Sequence, residues 1–209
     1  MNKTRVETFG DGIFAIAITL LVLTIAQPSD YQHLGRDLAN SWPELAAYVV
    51  SFAVIGIMWL NHHAVFTRLE QVDRGFIYLN FLLLMTIAFL PYPTGVFGEA
   101  LRQGQSTRTA AVFYSTTMAL NAYAWTGLWL YASVGRRLLN SDFPESSRPA
   151  ATIAFAGGSV AYTAAVGIAF VSPYACLAFQ GALAGYYALD PLSRHAERGA
   201  LTSEEPDSP

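Results

Sequence analysis

Charge is scarce: Asp, Glu, Lys and Arg together make up 13% of the 209 residues, about half of the roughly 25% expected in a soluble domain. A water-soluble globule is excluded. At about 20 residues per membrane helix, six crossings take about 120 residues and leave short loops and a tail, with no space for a large extramembrane domain. Cysteine is nearly absent, and Cys176 alone cannot form a bridge within the chain. The signatures of catalysis are also missing: no G-x-S-x-G elbow, no H-E-x-x-H, no phosphate-binding glycine loop and no paired cysteines. Ser115 and Ser159 fall in apolar runs whose neighbours in sequence hold no histidine to activate them. The chain therefore reads as a protein other than an enzyme. It also lacks the T-V-G-Y-G carbonyl filter, so any ion path must select by side chains. No internal repeat suggests the two-halves design of many transporters. Nor is there a basic excess: 12 bases stand against 15 acids, a net charge of −3, which excludes nucleic acid as a partner.

What the chain does contain is apolar: 53% of its residues are hydrophobic. Six runs predict membrane helices, at about 4–26, 43–66, 75–92, 110–133, 149–171 and 174–189. The fourth and fifth are the clearest. The first carries Arg5, Glu7 and Asp11 in its opening turns, and Ile25-Ala26-Gln27 lacks a small-x-small cleavage pattern, so it reads as a retained helix and not a signal peptide. Between the fifth and sixth the only break is Val171-Ser172-Pro173, which predicts a tight hairpin. Lys3, Arg5, Arg68, Arg74, Arg136, Arg137, Arg148, Arg194 and Arg198 then fall on one side of the membrane, and only Arg36, Arg102 and Arg108 on the other. By the positive-inside rule both termini are cytoplasmic. Residues 1–192 thus form one six-helix domain surrounded by lipid, and 193–209 an acidic tail whose Glu, Ser and Pro predict disorder.

Helical periodicity groups a stripe on the first helix. With Arg5 at zero, Phe9, Gly12, Ile16, Leu20 and Leu23 all lie within about 60° of it, Thr19 lies at about −40°, and Asp11 lies at about −120°. Periodicity alone leaves open whether that stripe faces a pore, a neighbour or lipid. A carboxylate at the membrane is costly unless paired or wet, so Asp11 needs a partner or water. Trp59, Asn61, His62, His63 and Phe66 offer polar and aromatic partners at the same end of the second helix. Adjacent histidines point about 100° apart and do not make the i, i+4 pair of a metal site, so structural hydrogen bonding is the stronger reading. Asn80 reads likewise as a bond across helices. Gly181-x-x-x-Gly185 and Gly157-Gly158 with Gly167 read as close helix packing.

Arg5-Val-Glu-Thr-Phe9-Gly10-Asp11 resembles the R-x-x-x-F-S-D signature of the transmembrane protein 175 family, the endolysosomal potassium channels and their bacterial relatives. Trp59-Leu-Asn61-His62-His63, Leu79-Asn80-Phe-Leu-Leu and Phe89-Leu90-Pro91-Tyr92-Pro93-Thr94 resemble its second and third helices. The resemblance implies an all-α membrane protein of six transmembrane helices, a homotetramer in the bacterial cell membrane with the first helix of each chain lining a pore. It further implies a weakly selective, potassium-permeable cation channel needing no cofactor, only its permeant potassium ions. By motif position Ile16, Leu20 and Leu23 would line and gate the pore, and Thr19 would contribute selectivity. Arg5, Phe9 and Asp11 would clasp the second and third helices through Trp59, His62, His63 and Asn80. Gly10 stands where the family usually has serine, and the missing hydroxyl is expected to weaken the network around Asp11. Two rivals remain: a small-solute or ion-coupled transporter that uses Arg5 and Asp11, and a haem or metal protein that uses His62 and His63.

Overall fold

The computed structural model describes residues 2–28 and 31–189, and among these the chain is all-helical. Helix α1 spans Lys3–Leu21, is capped by the Asn2 side chain, and ends in a 3-10 turn at Val22–Thr24. A short α2 (Leu34–Asn40) leads into α3 (Trp42–Thr67), which Pro43 opens at a position where a missing N–H costs nothing. Then follow α4 (Arg74–Phe89), α5 (Pro91–Gln103), α6 (Thr107–Ser133), α7 (Ser147–Val171) and α8 (Pro173–Leu189). The expected hairpin is present: only Ser172, extended at φ −148, ψ 114, separates α7 from α8. The acidic tail predicted at 193–209 lies outside the described residues.

Two helices differ from the sequence expectation. The third run was expected to stop at Tyr92. Instead Leu90 keeps helical angles (φ −54, ψ −37) and the chain continues as helix to Gln103, which Gly104 closes in the left-handed region at φ 67. Pro91 is tolerated because it begins a fresh first turn, and the Thr94 hydroxyl bonds the Leu90 carbonyl at 2.8 Å. The second difference is α6. Among the described residues four helical stretches are long and apolar enough to cross a membrane, at Lys3–Thr24, Trp42–Thr67, Arg74–Gln103 and Ser147–Val171; α8, at 17 residues, is not among them, and neither is α6 despite its 27 residues. The hydroxyls and amides of α6 turn toward neighbouring helices, while Phe113, Leu120, Tyr123 and Leu130 stand exposed along its outer face. Tyr123 and Thr163 hydroxyls lie 2.8 Å apart, Thr126 and Ser159 hydroxyls 2.8 Å apart, and the Trp129 indole donates to Thr152 at 2.9 Å, three rungs joining α6 to α7. Asn121 donates to Thr86 of α4 at 2.7 Å, and Ser115 meets Cys176 and Gln180 of α8 at 3.0 and 3.1 Å. Each of these residues thereby gains a partner across helices, which offsets the cost of placing it in an apolar medium.

Of the bases expected on one side, Lys3, Arg136, Arg137 and Arg148 gather at one end of the bundle, while Arg194 and Arg198 lie outside the described residues. Lys3 Nζ bonds the Leu69 carbonyl at 2.6 Å, and Arg136 and Arg148 reach Glu145 at 2.9 and 2.8 Å. An isolated antiparallel bridge between Leu69 and Leu139 ties the two loops there together. At the far end of α3 and α5, Arg102 lies 2.7 Å from Glu44 and 2.6 Å from Glu99. Asp73 anchors the first end: it caps α4 by accepting the Phe76 N–H at 2.8 Å and also accepts from Tyr131 and Arg137 at 3.0 Å each. The Phe76 amide first, then the Tyr131 hydroxyl and Arg137, hold its carboxyl below the usual carboxylate range. A carboxyl depressed in the folded state stabilises the fold above its unfolded pKa, about 3.9, and that contribution disappears as pH falls through the lower folded value. Thermal unfolding of Asp73→Ala is therefore expected to fall short of the wild type at neutral pH and to converge with it below about pH 4. A gap that stays constant down to acid pH would refute this role.

Candidate functional site

Helix α1 has two faces, set by its neighbours. Val6, Gly10, Phe14, Ala17 and Leu21 recur every three or four residues and are buried against α3, α4 and α5. On the opposite side Ile16 is 57% exposed, Leu20 41% and Leu23 76%, so the stripe read from periodicity lies along the surface of the single chain. Phe9 and Thr19 share that exposure. The Thr19 hydroxyl donates to the Ile16 carbonyl at 2.9 Å. Its lone pairs are left free to accept.

Behind the exposed face stands the clasp. The Trp59 indole N–H donates to Asp11 Oδ1 at 2.9 Å, which meets the requirement that this carboxylate find a partner on a neighbouring helix. His62 is fully buried, with Nε2 3.0 Å from Asn80 Oδ1, and is ringed by Phe14, Phe66 and Trp125. His63 points outward, with Nδ1 2.9 Å from Glu7. The two histidines thus serve different partners on different faces, and among the described residues no group of three His, Cys, Asp or Glu could hold a metal ion. Phe9 packs edge-on against Phe81 of α4, ring centroids 5.8 Å apart. Arg5 is exposed and, among the described residues, not drawn into the clasp. Sequence reasoning missed Glu7, which it read only as a charge interrupting the helix start. The signal was there: Glu7 lies about 40° from Asp11 on the helix, on the side that faces α3.

Gly10 turns out to be a packing residue. A Cβ there would lie 2.6 Å from His62 Cε1, closer than side chains approach. Asp11 takes its bond from Trp59, and the missing Cβ at Gly10 is what lets the His62 ring lie against the backbone of α1. Asp11→Ala is expected to cost about 1–2 kcal/mol, the value of a charge-assisted bond reduced for partial exposure. It is expected to lower the yield of assembled protein far more than the selectivity of what assembles, as size-exclusion chromatography alongside reversal potentials would show. A normal yield with changed selectivity would overturn the clasp role.

The family model for the endosomal/lysosomal potassium channel TMEM175 matches residues 5–91. A Streptomyces collinus protein named as a potassium channel is 45% identical over 206 residues, covering 97% of this chain and 100% of its own. The chain belongs to the TMEM175 family. The solved structure of a TMEM175 homologue from Chamaesiphon minutus, described as a lysosomal potassium-selective channel, superposes with a TM-score of 0.81 at 35% identity, over 90% of this chain and 96% of that one. Human TMEM175, named as an endosomal/lysosomal proton channel, is 36% identical over 101 residues, 44% of this chain and 20% of the human protein. TMEM175 membership makes this a multi-pass membrane protein of a channel family, with a fold shared across bacterial relatives. The family match covers α1, the clasp and α4, which are the elements that define the two faces described above.

Proposed function

We propose that the chain is one subunit of a homotetrameric, potassium-permeable cation channel of the cell membrane. Each subunit crosses the bilayer six times with both termini in the cytoplasm, and the exposed face of α1 lines a central path. The observation that carries this reading is the split of α1: its motif residues bind inward to α3 and α4, while Ile16, Leu20 and Leu23 stand unburied in a line on the other side. A lone apolar stripe on a membrane protein could simply meet lipid. Here the stripe is on the same helix as the family signature and coincides with the pore positions that the resemblance implies.

Four copies of Ile16 would close the narrowest point as an apolar ring, which excludes water and ions until the helices move. Four Thr19 hydroxyls nearby, lone pairs outward, would replace part of the hydration shell of an ion and give modest discrimination between alkali cations. The aligned carbonyls of a filter are absent, so strong discrimination is not expected. The family name and the names of the bacterial relatives support potassium as the permeant ion. The deciding experiment is flux from liposomes under potassium, caesium and sodium gradients, with a proton-gradient arm because the human relative carries the name of a proton channel. Non-saturating potassium flux in excess of sodium flux is the expected result. Saturable, coupled uptake would replace the channel by a transporter.

A further inference from the structure

We propose that Thr8 forms a second cation-binding ring, on the cytoplasmic side of the Ile16 constriction. The inference rests on the reading of α1 as the lining of a fourfold path. Two sets of contacts bracket the part of α1 that the subunit leaves open. On one flank Asp11 is held by Trp59 and Glu7 by His63, both on α3; on the other Phe9 packs on Phe81 of α4. With Arg5 at zero, Asp11 lies at about −120° and Phe9 at about 40°, so the middle of the open arc falls at about −40°. Thr19 stands at about −40° and Thr8 at about −60°, separated by about 16 Å along the helix axis. If Thr19 faces the path, Thr8 does too.

The two threonines also use their protons alike. Thr8 Oγ1 donates to the Thr4 carbonyl at 2.9 Å, as Thr19 Oγ1 does to Ile16, and both side chains are exposed. A hydroxyl whose proton is committed to its own backbone presents lone pairs outward, the arrangement a cation needs. Between the two levels, Gly12 and Ala15 are exposed and small, and nothing lies within 4 Å of where a Gly12 side chain would begin. Small side chains between the two levels leave the most room for an ion that keeps its water. A potassium ion arriving from the cytoplasm would exchange part of its water for four hydroxyls and wait there, one step before the apolar ring. Arg5 stands one turn nearer the water and about 60° round from Thr8, and its long side chain extends to the aqueous rim.

The test is the unitary outward current of the reconstituted full-length channel as cytoplasmic potassium is titrated, with size-exclusion chromatography to verify assembly. Thr8→Val is expected to raise the half-saturating cytoplasmic potassium about threefold or more, the effect of losing one modest polar contact, and to leave half-saturation from the opposite side unmoved. Thr8→Ser, which keeps the hydroxyl, recovers the low value. In Thr8→Cys, cadmium added on the cytoplasmic side blocks the current; the native Cys176 is buried, so the wild type serves as the blank. If neither Thr8→Val shifts the half-saturation nor cadmium blocks Thr8→Cys, while Ile16→Asn still raises conductance, the inner ring is wrong and the α1 lining stands. If Ile16→Asn also leaves the current unchanged, the lining fails and the ring with it.

Discussion

Ile16→Asn is expected to raise the unitary conductance severalfold, with the protein assembled and folded as before. The physical reason is the exchange of an apolar ring for a polar and somewhat smaller one. Four isoleucine side chains offer water no hydrogen bonds, so a narrow ring of them empties and an ion must leave its hydration shell to pass. Four amides hold water in the same space, and the hydrated ion crosses a lower barrier. Folding of the single subunit is little affected, because Ile16 is 57% exposed there and lies outside its core, and size-exclusion chromatography verifies that the tetramer still assembles. A substitution at such a position changes folding free energy by about 0.5 kcal/mol or less. Single-channel recording in planar bilayers gives the answer. A unitary current equal to that of the wild type would remove Ile16 from the constriction.

The second large effect is one of stability, and its sign runs against the family pattern. Gly10→Ser restores the residue that the signature usually carries, yet it is expected to destabilise this chain by about 1–3 kcal/mol, the usual cost of overpacking a filled site. The new Cβ would fall 2.6 Å from His62 Cε1. His62 has nowhere to retreat, being held by Asn80 and walled by Phe14, Phe66 and Trp125. Gly10→Ala is expected to cost as much, since the Cβ and not the hydroxyl is at fault. Replacing His62 by alanine in the same chain is expected to remove most of the additional penalty, the non-additivity that marks two groups in contact. Thermal unfolding of the four proteins in detergent closes that cycle. A Gly10→Ser protein more stable than the wild type would mean that the hydroxyl finds a bond worth more than the crowding.

How far the sequence reaches is seen best on α1. Periodicity alone put Ile16, Leu20 and Leu23 on one line, because spacing along a helix is a local property. It could not say what that line faces, since that depends on where α3 and α4 pack, and both faces of the helix are rich in Ile, Leu and Ala. The partner of Asp11 was legible as one donor among Trp59, Asn61, His62 and His63, by the cost of an unpaired carboxylate. Which one was a matter of register between α1 and α3, and register is not written in either helix by itself. The length of the third helix was hidden because hydropathy marks an apolar run and not a helix, and the chain past Tyr92 turns polar at Glu99, Arg102 and Gln103 while staying helical. Gly10 was read for the hydroxyl it lacks, when the space it leaves matters more; only the ring of His62, fifty-two positions away in the chain, reveals that.

The polar face that α6 turns toward its neighbours bears on how the chain is made. A segment that enters the bilayer alone is judged on its own transfer free energy, and the hydroxyls, amide and indoles of α6 count against it there. Their partners Thr152, Ser159 and Thr163 belong to α7, which is synthesised later. The two are therefore expected to insert as a hairpin, with α6 held at the translocon until α7 arrives. A chain truncated before Ser147 would leave α6 outside the lipid, a difference that glycosylation mapping of the α5–α6 and α6–α7 loops would register.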